Sequence, residues 1–119
     1  PNTKDNKAFA DEFMKNYKRY PKAAAVVGYV TAQFIAEGFK KAGKVNNEAL
    51  ITALEGMKVQ SPVGALEIRA CDHQLLLPTY FGVTKKDPKY NFLISDKNQT
   101  IPSKDYMATC EEVLNQRGK

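Results

Sequence analysis

The longest apolar stretch of the chain runs from Ala23 to Gly43 and predicts a helix around which the other elements are organised. Val27, Val30, Phe34 and Gly38 fall on one stripe at helical spacing, and further apolar residues fall beside it. Since most of the circumference is apolar, we expect this helix to be buried and covered on several sides. Gly43 suits a left-handed cap at its end.

Polar residues within this stretch argue against a membrane span. A helix needs about 20 apolar residues to cross a bilayer, and this one has the length. Gln33, Glu37, Lys40 and Lys41 interrupt it, however. The pattern therefore favours a buried helix.

A shorter amphipathic helix is predicted before the central one. Asp5 is a plausible helix cap, and Pro21 ends the run. Four aromatic residues recur between them at helical spacing: Phe9, Phe13, Tyr17 and Tyr20. Such a stripe could stack on nucleic acid bases, but stacking surfaces lie on sheets or open grooves with basic flanks. The stripe is typical of core packing.

A third helix follows the central one, capped by Asn46 or Asn47 and ended near Gly56. Its apolar face consists of Leu50, Ala53, Leu54 and Met57. At the other end of the chain, Thr109 and Glu112 have the spacing of a capping box, which predicts a short last helix.

The hydrophobic period changes to that of strands after Val59. Ser61-Pro62 is a break, and residues 64–69 alternate so that Leu66 and Ile68 face inward. A second extended run covers residues 75–84, with residues 90–94 as its hairpin partner. Pro78 restricts the ladder and suits an edge or a crossing point. Residues 96–103 resemble a loop.

Composition narrows the function classes. The 119 residues fit one domain, and 18 basic against 13 acidic residues give a net charge of +5. Fifteen of the basic residues are lysines scattered along the chain, and only three are arginines. This distribution indicates a solvated basic surface and no nucleic acid partner. Because Pro1 opens the chain without a methionine or a leader, we expect an internal or processed segment.

One local cluster could carry chemistry. Cys71, Asp72 and His73 are adjacent and could supply a metal site or a nucleophile. Zinc sites show paired ligands in two places, however, and only one such place exists here. With one histidine and no phosphate loop or catalytic triad order, we expect no enzyme, no metal and no cofactor.

Three segments together resemble the C-terminal third of type I periplasmic solute-binding proteins, the receptors of branched-chain amino-acid type ABC importers. These segments are NKAFADEFMKNY, YPKAAAVVGYVTAQFIAEGFKKAG and EALITALEGMKVQSPVGALEIRACDHQLLLPTYFGVTKK. The run SPVGALEIRACDHQ is the most distinctive part.

The resemblance implies the fold. It implies an α/β fragment of a two-lobed fold, with three helices followed by strands and a short C-terminal helix. Residues 1–77 would belong to the first lobe, and residues 78–119 would hold the crossover, hairpin and tail of the second. Two such lobes close on a solute about a hinge. The missing N-terminal part of the same protein would supply the rest.

The resemblance also implies where the solute is bound. In such receptors the amino-terminal end of the central helix borders the cleft, which implies a ligand-binding role for Val27, Gly28 and Tyr29. Free N–H groups at a helix start suit a carboxylate. The family often has a large aromatic where this chain has Val27, whereas Tyr29 is retained. From periodicity alone, Tyr29 could equally be an ordinary buried aromatic.

The implied function is transport. A receptor of this kind captures a small solute (an amino acid, an amide or an aromatic acid) in the periplasm and delivers it to the permease subunits of the importer. A sensor domain of the same fold is the alternative. The implied oxidising compartment favours a Cys71–Cys110 disulfide, against two free thiols in a cytoplasmic protein.

Overall fold

The computed structural model describes residues 3–118, which divide into two compact units, residues 3–75 and 76–118. The first unit consists of α1 (Lys4–Tyr17), α2 (Ala23–Ala42), α3 (Asn47–Leu54), β1 (Lys58–Ser61) and β2 (Gly64–Glu67). The second consists of β3 (Thr79–Lys85), β4 (Ile94–Ile101), a 3-10 turn (Ser103–Asp105) and α4 (Cys110–Arg117). The α/β class and the predicted element order are confirmed.

Helix α1 begins two residues earlier than its sequence suggests. The Thr3 side chain accepts a hydrogen bond from the Asn6 N–H at 3.0 Å, so the predicted Asp5 cap is wrong. Asp5 instead lies in the first turn, where a carboxylate favours the positive helix end. Lys18 adopts a left-handed conformation with φ 54° and ends the helix, which leaves Tyr20 outside it.

Helix α2 is only partly covered within this chain. Val30, Phe34 and Gly38 are buried, and Gly43 forms the predicted left-handed cap with φ 67°. Val27 and Ile35, however, are about half exposed. The expected cover on several sides is therefore wrong for the described residues, since these two apolar side chains remain accessible to solvent.

Helices α2 and α3 pack closely. Asn46 accepts a hydrogen bond from the Ala49 N–H at 3.0 Å and is therefore the cap of α3. The Lys41 ammonium donates to the Ala53 carbonyl at 2.9 Å, which ties the end of α2 to α3. The apolar face of α3 lies on α2 at Gly38, where a side chain would collide with the methyl groups of Leu50 and Leu54.

We expect Gly38→Ala to destabilise the chain and Gly28→Ala to stabilise it. A Cβ at Gly38 would lie 2.7 Å from Leu50 Cδ1 and 3.0 Å from Leu54 Cδ2. Overpacking of this kind costs about 1 kcal/mol when methyl groups can shift. A Cβ at Gly28 meets no atom within 4 Å, and alanine favours a helix by about 0.5–1 kcal/mol. Urea unfolding of the two variants measures the change in the free energy of unfolding, which should be a decrease for Gly38→Ala and an increase for Gly28→Ala.

A tight hairpin follows the helices, and its first strand was not predicted. Ser61 and Gly64 are paired across the turn, so the Ser61-Pro62 break is a hairpin turn. The Ser61 hydroxyl donates to the Gly64 carbonyl at 2.7 Å and accepts from the Val63 N–H at 3.2 Å. Leu66 is 2% exposed, as predicted, and it packs with the core residues Val30, Phe34, Ala53, Met57 and Val59.

The second unit is an antiparallel ribbon with a helix after it. Thr79 pairs with Ile101 and Lys85 with Ile94, so β4 covers residues 94–101. The predicted partner strand at residues 90–94 and the predicted loop at 96–103 are therefore wrong. Every residue of β3 is exposed, and most of β4 is exposed as well. Without a buried face, a strand has no reason to alternate apolar and polar residues.

The capping box of α4 is confirmed. The Thr109 side chain accepts from the Glu112 N–H at 3.2 Å, and the Glu112 carboxylate accepts from the Thr109 N–H at 2.7 Å. The Thr109 hydroxyl also donates to the same carboxylate at 2.9 Å. The hydrogen bonds that the Thr109 N–H and hydroxyl donate favour the ionised carboxylate. They therefore lower the pKa of Glu112 from its ordinary value of 4.5.

We expect α4 to lose stability in acid. The pKa of Glu112 is lower in the folded chain than in the unfolded chain. The contribution of Glu112 to stability is therefore present above the ordinary pKa, and it is lost as the pH falls through the pKa of the folded chain. Thr109→Val keeps the backbone N–H, the larger cause, and should raise the pKa only part of the way. Carboxyl NMR titration measures both pKa values. A Glu112 that titrates at or above 4.5 would contradict the account.

Candidate functional site

The amino-terminal end of α2 differs from that of the other α-helices described between residues 3 and 118. Side chains cap α1, α3 and α4, whereas Lys22 precedes α2 in extended conformation and makes no side-chain cap. The Ala25 and Val26 N–H groups are bonded to the Lys22 carbonyl at 2.9 and 3.4 Å. The N–H groups ahead of them, at Ala23 and Ala24, have no partner within the helix, as at any helix start. The first turn of α2 holds no acidic residue. This end can therefore bind an anion.

The three residues predicted to contact the solute lie in the second turn of α2 and face different directions. Successive helix residues are about 100° apart. Gly28 and Tyr29 line a groove beside α1, whereas Val27 is 52% exposed and lies outside that groove. The structure thus brings Gly28 and Tyr29 together and leaves Val27 on another face.

A groove lies between α1 and α2. Its volume is about 640 Å³, and aromatic rings line it. The ring of Tyr29 lies 5.0 Å from that of Phe9, and Phe13 continues the row to Tyr17 at 4.5 Å, measured between ring centroids. We refer to this feature as the α1–α2 groove.

Three polar residues that line the α1–α2 groove are joined by hydrogen bonds: Asp5, Gln33 and Gln60. The Gln33 side-chain nitrogen donates to the Gln60 carbonyl at 2.8 Å, and the Gln60 side chain donates to Asp5 at 3.2 Å. Gln33 Oε1 is buried and accepts no hydrogen bond from residues 3–118. Sequence reasoning missed these bonds, because Gln60 lies on the unpredicted strand β1.

The Cys71-Asp72-His73 turn is structural. Asp72 forms an ion pair with Arg69 and also accepts from the Gln74 N–H at 3.1 Å. His73 Nε2 lies 2.9 Å from a carboxylate oxygen of Glu55. Within residues 3–118, no group of three or more His, Cys, Asp or Glu side chains converges as a metal site would. The side chains of the turn therefore have structural partners.

The predicted disulfide is present. Cys71 and Cys110 are bonded to each other, so neither thiol is free for metal binding or nucleophilic chemistry. None of the helices in the described part of the chain is both long enough and apolar enough to span a membrane.

Known proteins match the chain over most of its length. The sequence pattern of the family described as "Periplasmic binding protein" matches residues 1–89. The Leu/Ile/Val-binding protein homolog 4 of Brucella melitensis is 31% identical over 75 residues, which are 60% of this chain and 18% of that protein.

Two crystal structures show the same fold. An ABC-type branched-chain amino acid transporter from Rhodopseudomonas palustris CGA009 matches with a TM-score of 0.80 and 24% identity, over 92% of this chain and 30% of that one. A solute-binding protein of an ABC transporter from Rhodopseudomonas palustris BisB5, in complex with 3,4-dihydroxybenzoic acid, matches with a TM-score of 0.73 and 27% identity, over 86% and 28%.

These matches show how much of its relatives the chain covers and to which family it belongs. The chain spans between about a fifth and a third of the length of these relatives, so it corresponds to one part of each of them. The family pattern covers 89 of the 119 residues, which is well over half. The chain belongs to the periplasmic binding protein family.

Proposed function

We propose that the full-length protein is the solute-binding component of an ABC importer. It captures a small organic solute in the periplasm and delivers it to the permease subunits. Membership of the family supports a binding role, and the relatives from Rhodopseudomonas are described as parts of ABC transporters, which favours transport over sensing. The proposed protein is a receptor and has no catalytic activity of its own.

The open amino-terminal end of α2 carries the proposal. Its uncapped N–H groups offer a carboxylate two or more hydrogen bonds and the positive end of a helix of 20 residues. We propose that the solute lies at this end. Val27, Gly28 and Tyr29 then border it from the second turn, with Gly28 leaving open space for close approach.

The relatives narrow the solute class. One is described as a Leu/Ile/Val-binding protein homolog and another was crystallised with a dihydroxybenzoic acid. An amino acid and an aromatic acid share a carboxylate, which is the group that the start of α2 suits. We therefore propose a small carboxylate, and favour it over an amide.

The described chain forms only part of the proposed receptor. We propose that residues 1–77 belong to its first lobe and residues 78–119 to its second. The segment upstream of Pro1 supplies the remaining ligands of the solute. The family match and the length of the relatives support a chain that is part of a larger receptor.

A carboxylate built into the start of α2 should displace the solute. In the full-length protein, Ala24→Asp places a negative charge on the free N–H groups, and we expect solute affinity to fall by about tenfold or more. The same change should stabilise the helix, so the unfolding midpoint should rise while affinity falls. Calorimetric titration with leucine and with hydroxybenzoic acids measures the affinity.

Ala36→Asp is the matched control, since Ala36 is an exposed alanine in the middle of the same helix. It should leave solute affinity unchanged. Equal affinity of the two variants, or a loss of affinity in both, would contradict a solute site at the start of α2.

A further inference from the structure

The connection between β3 and β4 presents both apolar and basic side chains to solvent. Lys85 and Ile94 are the last paired residues of the two strands, so residues 86–93 project beyond the ladder. Near the end of this segment, Phe92 is 45% exposed and Leu93 is 58% exposed. We refer to residues 86–93 as the ribbon loop.

Internal contacts give the ribbon loop a defined shape. Asp87 Oδ1 accepts a hydrogen bond from the Lys89 N–H at 2.9 Å, and the Asp87 carbonyl accepts one from the Tyr90 N–H at 3.0 Å. The ring centroids of Tyr90 and Phe92 lie 5.4 Å apart, and the Lys89 ammonium lies 5.7 Å from the centroid of the Tyr90 ring. A loop that is already ordered loses less conformational entropy when it binds a partner.

The ribbon loop carries a net positive charge. Lys86 and Lys89 are exposed, and neither forms an ion pair with a residue that the structure describes. Asp87 is the one acidic residue in the sequence between Thr79 and Ser95, and its carboxylate is bonded to the backbone of the loop. A covering protein segment would have to desolvate both lysines or pair each of them with an acid. Charge complementarity therefore favours an anionic partner.

The combination of exposed apolar side chains and lysines suits the surface of a lipid bilayer. Aromatic side chains are enriched where a membrane meets water, because their rings can enter the headgroup region. The stem of a lysine lies along apolar surface while its ammonium group reaches anionic headgroups. A soluble anion would satisfy the lysines but would leave Phe92 and Leu93 in water.

We propose that the ribbon loop is a docking site for the surface of a membrane that contains anionic phospholipids. Phe92 and Leu93 enter the headgroup region, and Lys86 and Lys89 contact the lipid phosphates. Binding is weak and reversible, because two apolar side chains bury too little area for a stable anchor. The proposal does not depend on the proposed transport function or on which solute the protein binds.

Tryptophan fluorescence tests the proposal at a single position, because the chain contains no tryptophan of its own. In the 119-residue chain, we expect the emission of Phe92→Trp to move to shorter wavelength when vesicles of phosphatidylglycerol and phosphatidylcholine are added. Phe81→Trp is the matched control, since Phe81 is an exposed phenylalanine on β3 of the same unit. Its emission should not change.

Two pairs of charge reversals separate docking by the ribbon loop from a general attraction of the basic chain to lipid. Added to Phe92→Trp, Lys86→Glu with Lys89→Glu should weaken vesicle binding by about tenfold or more. Lys44→Glu with Lys104→Glu changes the net charge equally at two exposed positions outside the loop. This second pair should weaken vesicle binding much less.

The proposal would be overturned if the emission of Phe92→Trp stayed unchanged, if Phe81→Trp shifted as much, or if both pairs of reversals weakened binding equally. Equal binding to vesicles of phosphatidylcholine alone would also overturn it, since these carry no net charge. So would a shift caused by inorganic phosphate without lipid, because a soluble anion would then be the partner. No solute is present in these measurements, so none of the results bears on the proposed transport function.

Discussion

Replacing Cys71 and Cys110 by serine will lower the free energy of unfolding by about 4 kcal/mol, according to the loop-entropy account of a disulfide. The bond closes a separation of 39 residues (110 − 71 = 39). Without it, the unfolded chain gains the conformational freedom of that loop, whereas the folded chain loses few contacts. Urea unfolding of the wild type and the double variant measures the difference.

Dithiothreitol provides the control for this prediction. It should destabilise the wild type by the same amount and leave the double serine variant unchanged. Intact mass after alkylation without reductant should show no labelled thiol. Two alkylated cysteines, or a loss of stability below about 1 kcal/mol, would contradict a stabilising bridge.

Phe34→Ala will lower the free energy of unfolding by a similar amount, because packing in the core is lost. Phe34 is 4% exposed and packs where α2 meets α3 and the hairpin. Truncation of a buried phenylalanine costs about 3–5 kcal/mol, because transfer energy is lost and a cavity remains. Chemical unfolding of the 119-residue chain measures the change.

Phe81→Ala is the matched control. Phe81 is 58% exposed on β3, and an exposed side chain contributes about 0.5 kcal/mol or less. If both variants lost the same free energy, the core of the first unit would not lie where the structure has it.

The helices could be predicted because their signals are local. Val30, Phe34 and Gly38 recur at helical spacing and all three are buried. Asn46 and Thr109 each cap the helix that they precede, through a bond to a residue three positions later. Local periodicity does not report how much of a helix is covered, since that depends on distant residues. For this reason the predicted buried stripe included Val27, which is 52% exposed.

The strands were harder to predict. Strand β1 has only four residues. Strand β4 contains the polar run from Ser95 to Thr100, and its pairing with β3 leaves both faces of the ribbon largely exposed to solvent. Neither strand presents the alternation that a buried face imposes. The hairpin turn at Ser61 and Pro62 is held by a hydrogen bond from the Ser61 side chain to the Gly64 carbonyl. The residue types alone do not distinguish such a turn from a break in the strand.

The candidate site was predicted only as far as the family resemblance reaches. Val27, Gly28 and Tyr29 come from that resemblance, and their solute contacts remain a prediction. The hydrogen bonds in the α1–α2 groove join Gln33 to Gln60 and Gln60 to Asp5, across 27 and 55 positions of sequence. No local pattern encodes contacts of that range.

Calorimetric titration of the full-length protein and of the 119-residue chain tests the proposed function most directly. The panel comprises branched-chain amino acids and hydroxybenzoic acids, with the corresponding amides as controls. We expect the full-length protein to bind at least one of the carboxylates with a Kd of about 1 μM or tighter. We expect no binding to the 119-residue chain, because the rest of the cleft lies outside it. Micromolar binding by the 119-residue chain alone, or no binding of any panel member by the full-length protein, would contradict the account.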